Sequence, residues 1–207
     1  MIVVTACFPI ETRWIRQSER LRVVRTPMGA AACDALHGDA ASGATLLVAT
    51  GFCGAADRRL RPGELTLASA VRHLGEEIRV DARLLEWARA TLVSGSCPVA
   101  VGVCECVDRI QSVSEKQALA RLGVTTVDME SGPLSRWAGR RELPFLPLRA
   151  VIDSADVALP VTAGGAWKTA MVRRPLQTAS LSRRAVIAGR ALGRAITALA
   201  ETWEERS

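Results

Sequence analysis

Two kinds of apolar spacing alternate along the chain. Ile2 to Ala6, Leu21 to Thr26, Leu65 to Ala70, Val99 to Cys104, Val124 to Val127 and Phe145 to Ile152 are short aliphatic runs that predict strands. Thr45 to Thr50 is the most continuous of these, as expected for a strand covered on both faces. It leads into Gly51-Phe52-Cys53-Gly54-Ala55, whose small residues predict a loop. Helical spacing fills the intervals. A small-residue helix is predicted from Gly29 to about Ala41, and an amphipathic one over Asp81 to Leu92 with Asp81 as cap. Others open near Ser114, run from Glu130 to Arg141, and run from Leu181 to about Trp203. Residues 154–180 are rich in Ala, Gly and Pro and predict a long loop. Strand and helix alternate without an internal repeat or a linker. The expectation is one domain over residues 1–207, a three-layer α/β/α arrangement around a mixed central sheet.

Composition supports a full core: 49% of the 207 residues are hydrophobic and 23% charged. The net charge of +6 invites a nucleic-acid reading, but its placement argues otherwise. Residues 1–167 hold 19 basic and 18 acidic side chains, whereas residues 168–207 hold 8 and 3. The body is nearly neutral, and no basic stretch interleaved with aromatics supplies a stacking platform. The excess falls on the last helix. There Leu181, Ala185, Ala188, Leu192, Ile196, Leu199 and Trp203 share one face, and Arg183, Arg190 and Arg194 the other. That basic side, with Arg173, Arg174 and Arg184, is either simply solvated or a peripheral contact for anionic lipid. No apolar run is long enough to span a bilayer. The first residues read as a strand rather than a signal peptide. Six cysteines without a C-x-x-C pair, and two histidines, leave few ligands for a metal. Reduced thiols in a cytoplasmic protein are expected, with no cofactor.

Candidate chemistry lies at predicted strand ends, where ligands bind in such sheets. Glu11 follows the first strand, Glu130 follows Val124–Val127, and Asp153 follows Phe145–Ile152. Each has a plainer reading as well. A carboxylate at a helix start also serves as a cap, and the 51–54 segment fits neither the Walker pattern nor G-x-G-x-x-G.

Several motifs in order resemble the purine nucleoside phosphorylase and nucleosidase superfamily. Val127-Asp128-Met129-Glu130-Ser131 followed by Arg149-Ala150-Val151-Ile152-Asp153-Ser154-Ala155-Asp156 is similar to its paired signature. Thr50 to Ala55 with Leu60 to Leu65, Met28-Gly29, and Ser114-Glu115-Lys116-Gln117-Ala118-Leu119 resemble three further segments. The early Ile10-Glu11-Thr12-Arg13, Leu159-Pro160 and Arg174-Pro175-Leu176 are most like the hopanoid-associated branch, linked to release of adenine from adenosylhopane.

The resemblance implies roles. Asp153 would protonate the purine at N7, helped by burial that raises its pKa. Glu130 would hold the ribose hydroxyls, with Met129 against the sugar. Glu11 would activate water. Gly29, Gly51, Phe52 and Val107 are expected to contact substrate. Family phosphorylases carry R-x-G-S-C-G where this chain has Ala49-Thr50-Gly51-Phe52-Cys53-Gly54, so both phosphate-binding side chains are missing. Unless Arg25 or Arg58 substitutes, hydrolysis is expected rather than phosphorolysis. The expected partner is a small or lipid-linked purine nucleoside, and a homo-oligomer is anticipated. The alternatives are a phosphorylase, a methylthioadenosine-type nucleosidase, a futalosine-type hydrolase, and a non-catalytic nucleoside-binding module.

Overall fold

The structure, a computed structural model, describes residues 1–157, 159 and 175–203, and side chains only outside 175–178. Among the described residues, eight strands form one mixed sheet. They are β1 (Ile2–Ala6), β2 (Leu21–Arg25), β3 (Leu46–Ala55), β4 (Leu65–His73), β5 (Glu76–Arg79), β6 (Val99–Cys106), β7 (Val124–Asp128) and β8 (Phe145–Asp153). β1 pairs in parallel with β2 and β3, and β3 in parallel with β8. β8 then pairs antiparallel with β4, β4 parallel with β6, β6 parallel with β7, and β7 antiparallel with the end of β3. These five strands close a circuit, with β2–β1 and β5 extending from it.

The alternation along β1 and β3 separates two layers of packing. Ile2, Val4, Leu46 and Val48 pack with Leu84, Ala88 and Leu92 of α2 (Ala82–Ser94) and with Leu192, Ala195, Ile196 and Leu199 of a long C-terminal helix. Val3, Leu47 and Ala49 pack on the opposite side with Ala32, Leu36, Leu134, Trp137 and Ala138. The layered α/β architecture expected from the sequence is therefore present. The remaining α-helices among the described residues are short: α1 (Pro9–Thr12), α3 (Val113–Arg121) and α4 (Ser131–Gly139). Asp81 caps α2 as expected, accepting the Leu84 N–H at 2.8 Å.

Four local expectations are corrected. The segment from Gly29 forms two 3-10 helices, Gly29–Leu36 and Gly38–Ala41, because Gly38 at φ +64° breaks the run. Gly51 to Ala55 is not a loop but the second half of β3. Its glycines admit close neighbours rather than reversing the chain, and a register shift at Cys53/Gly54 carries the strand from β8 towards β7. The C-terminal helix, α5 (Pro175–Thr202), begins at Pro175 rather than Leu181, with proline in its first turn. The rest of the predicted 154–180 loop, with Pro160, Arg173 and Arg174, lies largely outside the described residues. α3 begins before Ser114 because Ser112 and Glu115 form a capping box. The basic face of α5 is as expected: Arg183, Arg190 and Arg194 are exposed, and Leu181, Leu192, Ile196 and Leu199 are buried. Cys7 and Cys33 are half-buried while the other four cysteines are buried, and all six are unpaired.

Candidate active site

Two helices and three strand ends bring the predicted carboxylates to one region. Glu11 lies in α1, directly after β1, and is only 3% exposed. Its Oε2 accepts the backbone N–H groups of Cys7 at 2.9 Å and Phe8 at 2.7 Å. Its Oε1 accepts the Phe52 N–H at 2.8 Å, which ties α1 to β3. Burial pushes the Glu11 carboxyl up to about 7, against the pull of these hydrogen bonds and of Arg149.

Gly51 explains how Glu11 comes so close to the strand. It sits at φ +135°, and a Cβ there would fall 2.8 Å from Glu11 Oε1 and 2.9 Å from Arg149 Nη1. Only glycine leaves room for both groups.

Glu130 is the N-cap residue of α4, yet its side chain does not cap that helix. Asp128 does so instead, accepting from the Ser131 N–H at 3.2 Å and from the Ser131 hydroxyl. The Glu130 carboxylate is thereby released from capping duty. It accepts the Gly29 N–H at 3.2 Å and lies 3.6 Å from Arg149 Nη1. Burial raises its carboxyl above the usual range, Arg149 opposes this, and Asp128 adds to it.

Arg149, on β8, organises this half of the site from a buried position. It pairs with Asp128 at 2.6 Å and donates to the Thr50 carbonyl at 2.9 Å and to the Ser131 hydroxyl at 3.0 Å. Burial works against its charge, but Asp128 and Glu130 hold the guanidinium protonated. Arg149 and Asp128 both stand in the motifs that resemble the superfamily, but the sequence around them assigns neither a role. An ionic pair inside an otherwise apolar strand end was the available signal.

Asp153, at the end of β8, forms a second station. It is in register with Gly54 of β3, three residues beyond Gly51, which is about 10 Å along a strand. A Cβ at Gly54 would lie 3.3 Å from both Asp153 oxygens, so this glycine too admits a carboxylate. Burial raises the Asp153 carboxyl, as expected, while the Lys116 ammonium opposes the rise at 2.5 Å. Lys116 is a further residue whose part in the site was not foreseen.

The predicted substrate contacts divide. Gly29 (φ +71°) and Phe52 join the carboxylate cluster through their backbone N–H groups, and Gly51 by its close approach to Glu11 and Arg149. The Phe52 ring packs on the helix-covered core rather than lining the cluster. Met129 is half-buried in the bend between β7 and α4. Val107 spends its N–H on the Asp128 carbonyl at 2.8 Å and packs its side chain with Ala56, Val124 and Val127. Of the arginines considered for phosphate, Arg25 is exposed and Arg58 pairs with Asp156 at 3.1 Å.

Solved structures share this architecture. The 5'-methylthioadenosine/S-adenosylhomocysteine nucleosidase of Neisseria meningitidis, in complex with methylthio-immucillin-A, matches with a TM-score of 0.75 at 16% identity, over 98% of this chain and 99% of that one. The enzyme of the same name from S. pneumoniae gives 0.74 at 15% identity over 97% and 98%. Futalosine hydrolase of Helicobacter pylori gives 0.70 at 14% identity over 95% and 97%. At these identities the likeness defines the fold. Among curated proteins none matches the sequence significantly. The family follows from the sequence itself: residues 3–188 match the model of the phosphorylase superfamily, and the chain belongs to that superfamily.

Proposed function

We propose that this protein is a purine nucleosidase that cleaves an N-ribosidic bond with water. The observation that carries the reading is the charge at the station around Arg149. One guanidinium faces Asp128, Glu130 and Glu11, and its Nη groups are already engaged. A phosphate dianion entering there meets three carboxyl groups around one guanidinium and, among the described residues, no free cation, at a large desolvation cost. Water meets a carboxylate whose pKa of about 7 suits a general base.

Cleavage builds positive charge on the sugar and negative charge on the leaving base, as in other glycoside chemistry. In this reading Asp153 protonates the purine at N7, Glu130 accepts the ribose hydroxyls, and Glu11 takes the proton of the attacking water. Met129 packs against the sugar. The three-residue offset between Gly51 and Gly54 supports it, because the acid and the base must lie on opposite sides of the bond being broken. The structural relatives, named as nucleosidases and a hydrolase, agree with water as the nucleophile.

Adenosylhopane is our specific substrate proposal, with adenine as the released base. It rests on the motif resemblance and on three exposed apolar side chains beside the site. Phe8 adjoins the Glu11 contact, Met28 precedes the Gly29 contact, and Val157 accepts from Lys116 through its carbonyl. Such a rim favours an apolar 5′ substituent. We read the protein as cytoplasmic, which its six unpaired cysteines support, and as a homo-oligomer. The test measures adenine release from adenosylhopane, 5′-methylthioadenosine and adenosine, and hypoxanthine release from inosine, beside the Asp153→Asn variant. The proposal expects release from the adenine nucleosides, fastest with the most apolar 5′ group, and none from the variant. Release of hypoxanthine alone would overturn the adenine assignment, and unimpaired release by D153N would overturn the role of Asp153.

A further inference from the structure

Only two of the 27 basic residues are lysines, and Lys116 is 1% exposed. A buried ammonium persists only where acceptors replace its hydration. Lys116 Nζ has three: Asp153 Oδ2 at 2.5 Å, the Ser154 carbonyl at 2.8 Å and the Val157 carbonyl at 2.8 Å. The charged amine has three N–H donors, one for each, and the neutral amine has only two. The arrangement is therefore built for the cation. A planar guanidinium cannot converge three donors on such a pocket, which accounts for a lysine in a chain otherwise dominated by arginine. The capping box of Ser112 and Glu115 fixes the first turn of α3, from which Lys116 reaches the end of β8.

We propose that Lys116 is a positioning residue for Asp153, holding Oδ2 so that Oδ1 is the one oxygen that passes a proton to the leaving base. The proposal rests on the reading of Asp153 as the acid. In the step, the proton leaves Oδ1 for the base nitrogen as the electron pair of the N-ribosidic bond moves onto the base. Water adds to the anomeric carbon and gives its proton to Glu11. Asp153 is left as a carboxylate beside the Lys116 ammonium, which stabilises that conjugate base and strengthens the acid. Among the described residues, the other groups facing Asp153 are Arg184 of α5 and the Cys53 thiol of β3. Lys116 also ties down the two carbonyls that follow β8, so the acid and the chain leaving it are fixed by one group.

The test compares wild type, Lys116→Met and Lys116→Arg for adenine release from 5′-methylthioadenosine between about pH 5 and 9, with thermal melts of each. In K116M we expect kcat to fall at least about tenfold, with KM nearly unchanged, and the alkaline limb of kcat/KM to move up by about one pH unit or more. K116R keeps the charge and loses the geometry, so kcat falls while the limb stays in place. A K116M enzyme with the wild-type limb and only a lower melting temperature would show a purely structural lysine and overturn the proposal. If K116M does not fold, wild-type kcat in folded K116R overturns it. If the wild type releases no base, the nucleosidase reading fails by itself. The pairing is then read from the carboxyl titration of Asp153 by carbon NMR in wild type and the folded variants. An Asp153 pKa unchanged by loss of the ammonium overturns the proposal, and a rise upholds it.

Discussion

Arg149 and the carboxylates around it set the chemistry available at single residues. Glu11, Glu130 and Asp153 are each buried, and burial raises each carboxyl above its ordinary value. All three therefore bind a proton more tightly folded than unfolded. Their contribution to stability is complete below the usual carboxylate range and is lost as pH rises through the folded values, which for Glu11 is about 7. Thermal melts from about pH 5 to 8 should show a falling melting temperature; a steady rise over that range would contradict the assignment. Activity should move the other way over the lower part of this range, because the proposed mechanism requires Glu11 to lose its proton before it can accept one from water. Base release is expected to climb with pH towards about 7, and Glu11→Gln should lose about a hundredfold or more in kcat. A pH-rate profile whose acid limb stays below pH 5 would assign the base elsewhere. The three carboxylates were legible in the sequence because each follows a strand and sits in a motif. Asp128, Arg149 and Lys116 were not, because their importance lies in contacts spanning up to about a hundred residues, such as Arg149 to Thr50. A charge at an apolar strand end marks such a residue, but no local pattern names its partner.

Among the elements, α5 does more than cover the sheet. Gly189 and Gly193 face α1 and Trp14, two residues beyond its end. A methyl group at Gly189 would lie 2.5 Å from Trp14 Cζ3 and 2.6 Å from the Ile10 carbonyl, and one at Gly193 would lie 2.6 Å from Trp14 Cβ. The helix thus holds the segment that carries Glu11. Gly193→Ala must push Trp14 away, and since the backbone there cannot yield freely, we expect a loss of about 1–3 kcal/mol together with a lower kcat. Melts and kinetics on one preparation check this, and a stable variant with full kcat would separate α5 from the site. Leu192→Ala, on the sheet-facing side, is expected to cost about 2–5 kcal/mol through the cavity it leaves. Chemical denaturation measures it, and a loss under about 1 kcal/mol would place Leu192 outside the core. The helical face of α5 was readable from its period. The course of β3 was not: glycines at 51 and 54 read as a turn from local propensity, whereas they serve the approach of Glu11, Arg149 and Asp153 to a continuous strand. Tertiary contact outweighed local preference there, as in the missed α1 and β5, both of four residues.

At the scale of the molecule, charge and exposed apolar surface are distributed unequally. The body is nearly neutral, and the exposed side of α5 carries Arg183, Arg190 and Arg194. Among the described residues no helix is long and apolar enough to cross a membrane. If the substrate is lipid-linked, the basic side of α5 is the surface that would meet anionic headgroups. Sedimentation with phosphatidylserine vesicles at low salt should then exceed that with neutral vesicles, and equal binding to both would leave this face merely solvated. The central claim concerns the nucleophile. Its most direct measurement is base release from 5′-methylthioadenosine in phosphate-free buffer, with the sugar product identified. The excess of carboxyl groups over cations around Arg149 predicts turnover without phosphate, giving the free 5′-methylthioribose and no change in rate when phosphate is added. Turnover that requires phosphate and yields the sugar 1-phosphate would contradict it.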